Sequence, residues 1–373
     1  MTSPLFKPLQ LGAISLSHRV VMAPLTRMRA GAPDNVPTDL SVEYYRQRAS
    51  SGGLIIAEAS QVSPTGQGYP TTPGIHSTAQ VAAWKKVVER VHARGGKIFM
   101  QLWHVGRLSH TSLQPGGKLP VAPSALAPAG AGLTAEWQQV PYGLPRALET
   151  AEIAGIIEDY RKGAQNALAA GFDGVEIHGA NGYLPDQFLQ DRSNHREDRY
   201  GGPIENRARF LLEITDAATS IWGTDRVGVR LSPWGSYGDM GDSNPVSLFT
   251  YAIQELSTRG IAYLHLIEPR ATAEQLGLNT AGIPESAATL FRQAFKGPVI
   301  AAGGFGRESA AAAIEKGQAD AVAFGRDFIS NPDLPLRLML GAKLNPYDRS
   351  TFYGGGAAGY TDYPALEKSE ETV

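Results

Sequence analysis

Short apolar runs that recur about eight times, each followed by a loop and then a helical pattern, constrain this chain more than any other feature. The runs are Arg19–Ala23, Gly53–Ala59, Lys97–Trp103, Asp173–His178, Val227–Leu231, Ala262–Leu266, Pro298–Ala302 and Ala321–Phe324. Several are rich in Val and Ile, as strands buried on both faces of a parallel sheet are. Helical spacing appears between them, over Ala79–Ala93, Ala151–Ala170, Asn206–Trp222, Pro245–Arg259, Glu285–Phe295 and Glu308–Lys316. Gly95, Gly171, Gly260 and Gly317 follow helical ends, where glycine takes positive φ without a Cβ penalty. This alternation implies an α/β protein, a closed (β/α)8 TIM barrel. An open doubly wound sheet is the competing architecture. The 373 residues suit one such barrel, read as a single domain over 1–373, with a Pro- and Gly-rich insertion over about 105–149 that leaves the C-terminal face as a lid.

In a barrel of this kind the reactive groups lie at the C-terminal ends of the strands. Those ends read Ala23-Pro24-Leu25-Thr26-Arg27; Glu58-Ala59; Gln101-Leu102-Trp103-His104; His178-Gly179-Ala180-Asn181-Gly182-Tyr183; Arg230-Leu231-Ser232; Glu268-Pro269-Arg270; Gly303-Gly304-Phe305-Gly306; and Gly325-Arg326. The chain has no cysteine, which excludes disulfides, thiolate metal sites, cysteine-ligated clusters and thiol nucleophiles. A net charge of −2 gives no sign of a nucleic-acid or anionic-membrane partner. No signal-peptide pattern opens the sequence and no apolar run approaches a membrane span, so a cytoplasmic protein is expected.

The last two strand ends suggest a phosphate site. Successive glycines free backbone N–H groups to converge on an anion, a helix starting near Arg307 adds its positive end, and Arg326 can add bidentate donors. Gly303–Gly306 is not a dinucleotide fingerprint, since the third glycine of that motif is missing, and a plain tight turn is the alternative. At the fourth strand end His178 and Asn181 can both donate to one oxygen, and Tyr183, neutral at pH 7, can give a proton. A capped turn with a packed tyrosine is the competing reading. Arg230 suits the negative charge that a flavin gains near N1 and C2=O on reduction, or equally a carboxylate partner. Gln101 offers donors and an acceptor matching a flavin's imide edge, and Thr26 can donate to the C4=O. Tyr69, Trp103, Trp234, Tyr237 and Tyr353 are candidates for an aromatic pocket wall. His104 and His110 lack metal-ligand spacing, so no metal site is expected. The charge-rich stretch Asp191–Arg209 reads as a solvated loop with internal ion pairs.

Taken together, these segments resemble the old yellow enzyme family of NADH:flavin oxidoreductases and ene-reductases. The matching stretches are Met22–Arg27, Tyr44–Ala49, Gln101–His104, His178–Tyr183, Tyr200-Gly201-Gly202 with Glu205-Asn206-Arg207, Ala323–Arg326, Phe352–Gly356 and Gly359–Pro364. The resemblance implies noncovalent FMN across the barrel mouth, reduced by NADPH or NADH. It assigns FMN contacts to Pro24, Leu25, Thr26, Ala59, Gln101, Arg230, Gly303, Gly304, Gly325 and Arg326. It makes His178 and Asn181 the grip on the substrate oxygen, Tyr183 the proton donor to the α-carbon, and Trp103, Tyr69 and Tyr353 the pocket walls. Leu5–Ser17 becomes a hairpin that closes the barrel bottom. Thr26 marks the threonine-bearing branch, and Glu268-Pro269-Arg270 looks like the plant oxophytodienoate reductase variant, which leaves the side of the pocket formed by Arg270-Ala271-Thr272 open. The implied activity is reduction of the C=C bond in unsaturated aldehydes, ketones, maleimides and nitroalkenes, by a monomer or homodimer. Reduction of nitro groups or nitrate esters on the same site, and a flavin-binding redox sensor without turnover, are the alternatives. A lyase or aldolase is disfavoured because no strand end carries a lysine.

Overall fold

The computed structural model describes residues 3–271 and 283–366. Eight parallel strands close into a barrel: β1 (Val20–Met22), β2 (Leu54–Ile56), β3 (Lys97–Trp103), β4 (Gly174–Gly179), β5 (Val227–Leu231), β6 (Tyr263–Ile267), β7 (Val299–Ala302) and β8 (Ala321–Phe324). Each pairs with the next, and β8 pairs with β1 through Val322↔Val20 and Phe324↔Met22, which completes the ring and rules out the open sheet. A two-residue strand, Ser60–Gln61, extends the pairing alongside the end of β3. The predicted bounds coincide with β3, β5 and β8 and differ elsewhere by one to three residues at an end.

The helices between the strands include α1 (Asp39–Arg48), α2 (Thr78–His92), α3 (Thr150–Ala169), α4 (Ile204–Trp222), α5 (Pro245–Arg259), α6 (Ala287–Phe291) and α7 (Arg307–Glu315). Their N-termini are set by local chemistry. Ser77 and Gln80 form a reciprocal capping box on α2, and Asn244 accepts the Ser247 N–H ahead of a first-turn proline on α5. Sequence periodicity does not reveal α1, because its buried positions are Ser41, Tyr44, Tyr45 and Arg48 rather than an aliphatic stripe. The helix expected over 285–295 is regular only at Ala287–Phe291. Three short helices, Leu184–Leu189, Arg326–Ser330 and Leu334–Leu340, fall below the length at which periodicity is legible.

Apolar packing divides into three regions. The largest fills the annulus between barrel and helices, including Trp84, Val87, Val91, Ile153, Tyr160, Phe210, Phe249 and Phe291. A second fills the lower barrel: Leu11, Ile14 and Leu16 meet Val21, Leu54, Ile56, Phe99, Tyr263, Ile300 and Ala321. Leu11, Ile14 and Leu16 belong to the antiparallel hairpin Leu9–Leu11/Ile14–Leu16, so the hairpin plugs the bottom as the family resemblance implied. The third region, Ala59, Trp103, Val105 and Leu108 with Tyr69, Tyr142, Tyr183 and Tyr237, lies at the opposite, C-terminal end. The long segment after β3 contains no α-helix, only the 3-10 turns Thr111–Leu113 and Pro115–Gly117. Its paired strands are Val121–Ala122 beside Arg146–Ala147 and the hairpin Ala131–Leu133/Gln139–Pro141. Arg107 fastens it, donating to the Leu126 carbonyl (3.1 Å) and the Gly238 carbonyl (2.9 Å).

One glycine in the barrel wall permits a close approach. A Cβ on Gly228 in β5 would lie 2.2 Å from the Tyr263 ring, so only glycine lets that ring cross the barrel interior toward β4. Gly228→Ala is expected to cost about 1–3 kcal/mol of stability by overpacking, measurable by urea unfolding; an unchanged midpoint would show that the ring has room to spare.

Candidate active site

Strand register builds the floor of the mouth. Gln101 on β3 stands beside Glu176 on β4, and His178, Arg230 and His265 stand side by side on β4, β5 and β6. Glu176 and His178 are two residues apart on one strand and therefore share a face. Glu176 is fully buried and takes three hydrogen bonds: from Gln101 Nε2 (2.7 Å), Tyr263 Oη (3.0 Å) and His265 Nδ1 (2.9 Å). These bonds fix the Gln101 amide, because the opposite flip would set two acceptor oxygens against each other. Gln101 Oε1 is thereby kept as an acceptor. Arg230 is buried, its Nε has no hydrogen-bond partner among the described residues, and Glu176 exerts the largest of the charge effects on it. Of the two partners expected for Arg230, flavin or carboxylate, the structure shows the charge of a buried carboxylate acting on it. Glu176 and His265 carried no role in the sequence reading; the available signal was a charged residue at an inward strand position in Gly-Val-Glu-Ile-His.

His178 is buried, and its Nδ1 has no partner among the described residues. Burial, with the Arg230 charge and then His265 nearby, pushes its pKa well below the ordinary histidine range, so the ring is a neutral imidazole. The Tyr183 ring meets His178 edge-on at 4.9 Å and Trp103 edge-on at 5.0 Å, while Trp103 stacks on Tyr69 at 5.9 Å. Tyr69 Oη lies 3.3 Å from Tyr183 Oη and 3.2 Å from Tyr237 Oη, so three phenols form a chain across the mouth. Burial, then the neighbouring Tyr237, raises the Tyr183 pKa above that of an ordinary phenol and keeps its proton in place. Tyr353 is 58 % exposed and edges this group. Trp234, one of the candidate wall residues, turns away and stacks on Phe291 at 5.7 Å in the annular core.

The segment after β1 is held from behind. Arg27 donates to the carbonyls of Phe352 and Gly359 (both 2.9 Å), and Arg29 to that of Thr351 (2.9 Å). Arg48 of α1 donates to Ile329 (2.6 Å) and Tyr360 (3.2 Å). Tyr360 stacks on Tyr44 at 4.1 Å, with the Arg48 guanidinium 3.7 Å from the Tyr44 ring. The scattered stretches Met22–Arg27, Tyr44–Ala49, Phe352–Gly356 and Gly359–Pro364 therefore meet as one clasp, with Leu25 and Thr26 half-buried ahead of it. Glu58 completes it from β2's end, accepting the Arg27 N–H at 3.1 Å.

On the far side, Gly303 (φ 120°) and Gly304 (φ 65°) adopt backbone that side-chain-bearing residues avoid, just before the N-terminus of α7. Gly325 packs on Leu25, since a Cβ there would lie 3.3 Å from Leu25 Cδ2. Arg326 follows, donating to Tyr347 Oη at 3.5 Å. Arg270 crosses the cradle: its Nε donates to the Gly303 carbonyl (2.9 Å), its guanidinium lies 4.2 Å from the Phe305 ring, and its buried Nη2 has no partner among the described residues. Thr272 lies outside the described residues. Of two other expectations, the packed, polar-bonded role for His104 agrees with the structure and the solvated loop changes in detail. His104 is buried, and its Nδ1 accepts the Gly106 N–H (3.1 Å). In the charge-rich stretch, Arg196 pairs with Asp198 as expected, but Arg207 is buried against Asp242, outside the stretch, rather than solvated.

The chain matches the profile of the NADH:flavin oxidoreductase / NADH oxidase family over residues 4–345. It belongs to that family. Among curated relatives it is 48 % identical to a putative 12-oxophytodienoate reductase 2 of Oryza sativa subsp. japonica, over 99 % of this chain and 96 % of the relative. It is also 48 % identical to 12-oxophytodienoate reductase 2 of Arabidopsis thaliana, over 98 % and 96 %. Among solved structures, morphinone reductase superposes with a TM-score of 0.94 at 51 % identity, covering 100 % of this chain and 99 % of that one. Morphinone reductase in complex with tetrahydroNAD gives 0.92 at 52 % identity, covering 99 % of each. The protein is thus an FMN-dependent oxidoreductase of the old yellow enzyme family, with a reduced nicotinamide as electron donor. The site fits that cofactor: unpartnered Arg230 Nε, an acceptor on Gln101, and a glycine cradle at a helix N-terminus suit a planar group with an imide edge and a phosphate.

Burial raises the Glu58 carboxyl from 4.5 to about 7, against the lowering effect of Arg27 and Arg29. Between those values the folded protein holds a proton that the unfolded chain has released, so Glu58 makes folding less favourable as pH rises through that window. The melting temperature of Glu58→Gln should therefore improve relative to wild type between about pH 5 and about pH 8. A difference that stays constant across that range would mean that Glu58 does not titrate there.

Proposed function

We propose that this protein is an NAD(P)H-dependent ene-reductase that saturates the C=C bond of unsaturated aldehydes, ketones, maleimides and nitroalkenes. The observation that carries the reading is a neutral, buried His178 in edge contact with the ring of a protonated Tyr183, on one turn that also bears Asn181. When bound, FMN accepts two electrons from the nicotinamide and supplies them as hydride to the β-carbon of the alkene.

Pro24, Leu25, Thr26, Ala59, Gln101, Arg230, Gly303, Gly304, Gly325 and Arg326 are the residues that hold the cofactor. Arg230 supplies fixed positive charge where the ring gains negative charge, and Gln101 the acceptor for its imide N–H. His178 and Asn181 donate to the carbonyl or nitro oxygen of the substrate. They draw electron density from the conjugated bond and hold the negative charge that develops on that oxygen. As a neutral imidazole, His178 does this as a hydrogen-bond donor and not as a cation. Tyr183 gives its phenolic proton to the α-carbon, which balances hydride addition at the β-carbon. Trp103, Tyr69 and Tyr353 bound the pocket on the side of the lid.

Purified protein is expected to be yellow, with a flavin absorption spectrum; a protein that stays colourless after incubation with FMN would remove this reading. Tyr183→Phe should keep FMN and its reduction by NAD(P)H yet slow enone turnover about 10²-fold or more, as loss of a general acid does. Enone turnover at the wild-type rate would exclude Tyr183 as the donor. His178→Ala should weaken binding of phenol, whose oxygen mimics that of the substrate, and unchanged phenol affinity would count against the grip.

A further inference from the structure

The turn that presents Asn181 is held in an uncommon geometry. Asn181 has φ 58° and Gly182 has φ 76°, two consecutive residues in the left-handed region, and the first of them bears a side chain. Asn tolerates this conformation better than most residues, but the turn still needs support from its surroundings. Gly182 is also packed from above: a Cβ there would meet the Tyr237 carbonyl at 2.5 Å.

The support is a buried carboxylate with no place in the chemistry described so far. Asp186, in the first turn of the short helix Leu184–Leu189, is completely buried. Its Oδ2 accepts the Gly182 N–H at 2.9 Å, and its Oδ1 accepts Gln190 Nε2 at 2.7 Å. The N–H of Asn181 goes to the Ser232 hydroxyl at 2.7 Å. Burial raises the Asp186 carboxyl from 3.8 to about 7, against the bonds from Gln190, Gly182 and Ser232; having accepted the Asn181 N–H, Ser232 has its own proton free to donate to that carboxyl. The Arg107 charge acts in the same direction as those bonds. Both backbone N–H groups of the left-handed pair thus lead to one carboxylate, directly or through one hydroxyl. Ser232 lies just beyond β5, two residues after Arg230, so the same link sets the turn after β4 against the strand that carries the arginine.

We propose that Asp186 is a positioning residue for the substrate grip: acting directly on Gly182 and through Ser232 on Asn181, it holds the turn so that the Asn181 amide and His178 converge on one oxygen. The proposal rests on the ene-reductase reading, in which Asn181 and His178 grip that oxygen. Asp186 itself touches neither substrate nor cofactor. Its carboxylate is suited to the task because the groups it must collect are all donors, two backbone or amide N–H groups and a hydroxyl, and a carboxylate accepts from all of them at once.

The test is titration of FMN-loaded protein with phenol, followed by the change in flavin absorbance, for wild type, Asp186→Asn, Asp186→Leu, Ser232→Ala, Asn181→Ala and the double variant Asp186→Leu/Asn181→Ala. Asp186→Leu should raise the phenol Kd about tenfold, the scale of one misdirected hydrogen bond. Asp186→Asn, whose carbonyl still accepts from Gly182, should recover most of that loss. In the Asn181→Ala background Asp186→Leu should add less than about twofold, because a residue that acts through Asn181 has nothing left to position. Bound FMN per chain and melting temperature are recorded in parallel. A lower melting temperature with wild-type phenol affinity would mean that Asp186 serves stability alone and would overturn the proposal. So would full additivity with Asn181→Ala. If Asp186→Leu does not fold, Ser232→Ala decides, since it cuts only the Asn181 branch; an unchanged phenol Kd there overturns the proposal too. Wild-type protein that carries FMN but binds no phenol would overturn the grip itself, an outcome distinct from failure at Asp186.

Discussion

The pairing of β8 with β1 is the contact on which the rest depends. Only a closed ring of parallel strands brings all its C-terminal ends to one side and within reach of one another. That seam sets Gly325 against Leu25, and so joins the glycine cradle, which comes late in the chain, to the segment around Thr26, which comes early. It also explains why the two ends of the barrel differ so sharply. The bottom is sealed by Leu11, Ile14 and Leu16 of the hairpin, which is cheap to bury and needs no polar partner. The top instead carries buried polar atoms with no hydrogen-bond partner among the described residues, Arg230 Nε and His178 Nδ1 among them.

Between plug and mouth lies an ionic layer that stability alone does not require. A carboxylate at Glu176 costs desolvation and is repaid by three donors, but an aliphatic cluster would fill the same space at no electrostatic cost. What the layer adds is orientation. It fixes which end of the Gln101 amide is an acceptor, and it sets a negative charge near Arg230. Even Gly228, a residue of the wall, serves this layer by admitting the Tyr263 ring.

Much of this was legible in the sequence because parallel barrel strands are continuous apolar runs, and because strand ends announce themselves by polar residues and glycine. The barrel and the strand ends that carry His178 and Tyr183 could be read that way, while the bottom hairpin was implied by the family resemblance. Helix α1 could not, since it packs by tyrosine and arginine. Nor could the parts played by Glu176, His265 and Asp186, because nothing in a linear sequence says which buried polar residue meets which; that depends on register between strands and on turns of a few residues. The aromatic wall was read in part: Trp103, Tyr69, Tyr183 and Tyr237 gather at the mouth, but Trp234 turns into the annular core, a choice made by the backbone beyond β5.

The clasp behind Thr26 carries an implication for biosynthesis. Arg27 and Arg29 donate to carbonyls of residues 351–359, and Arg48 to those of Ile329 and Tyr360, so the early arginines lack these late partners while the ribosome is still making the middle of the chain. The barrel wall can assemble strand by strand, but the rim around Arg27 is finished only when the segment around Tyr360 has emerged, and a nascent chain stalled short of Tyr360 would hold a barrel with an unfinished mouth.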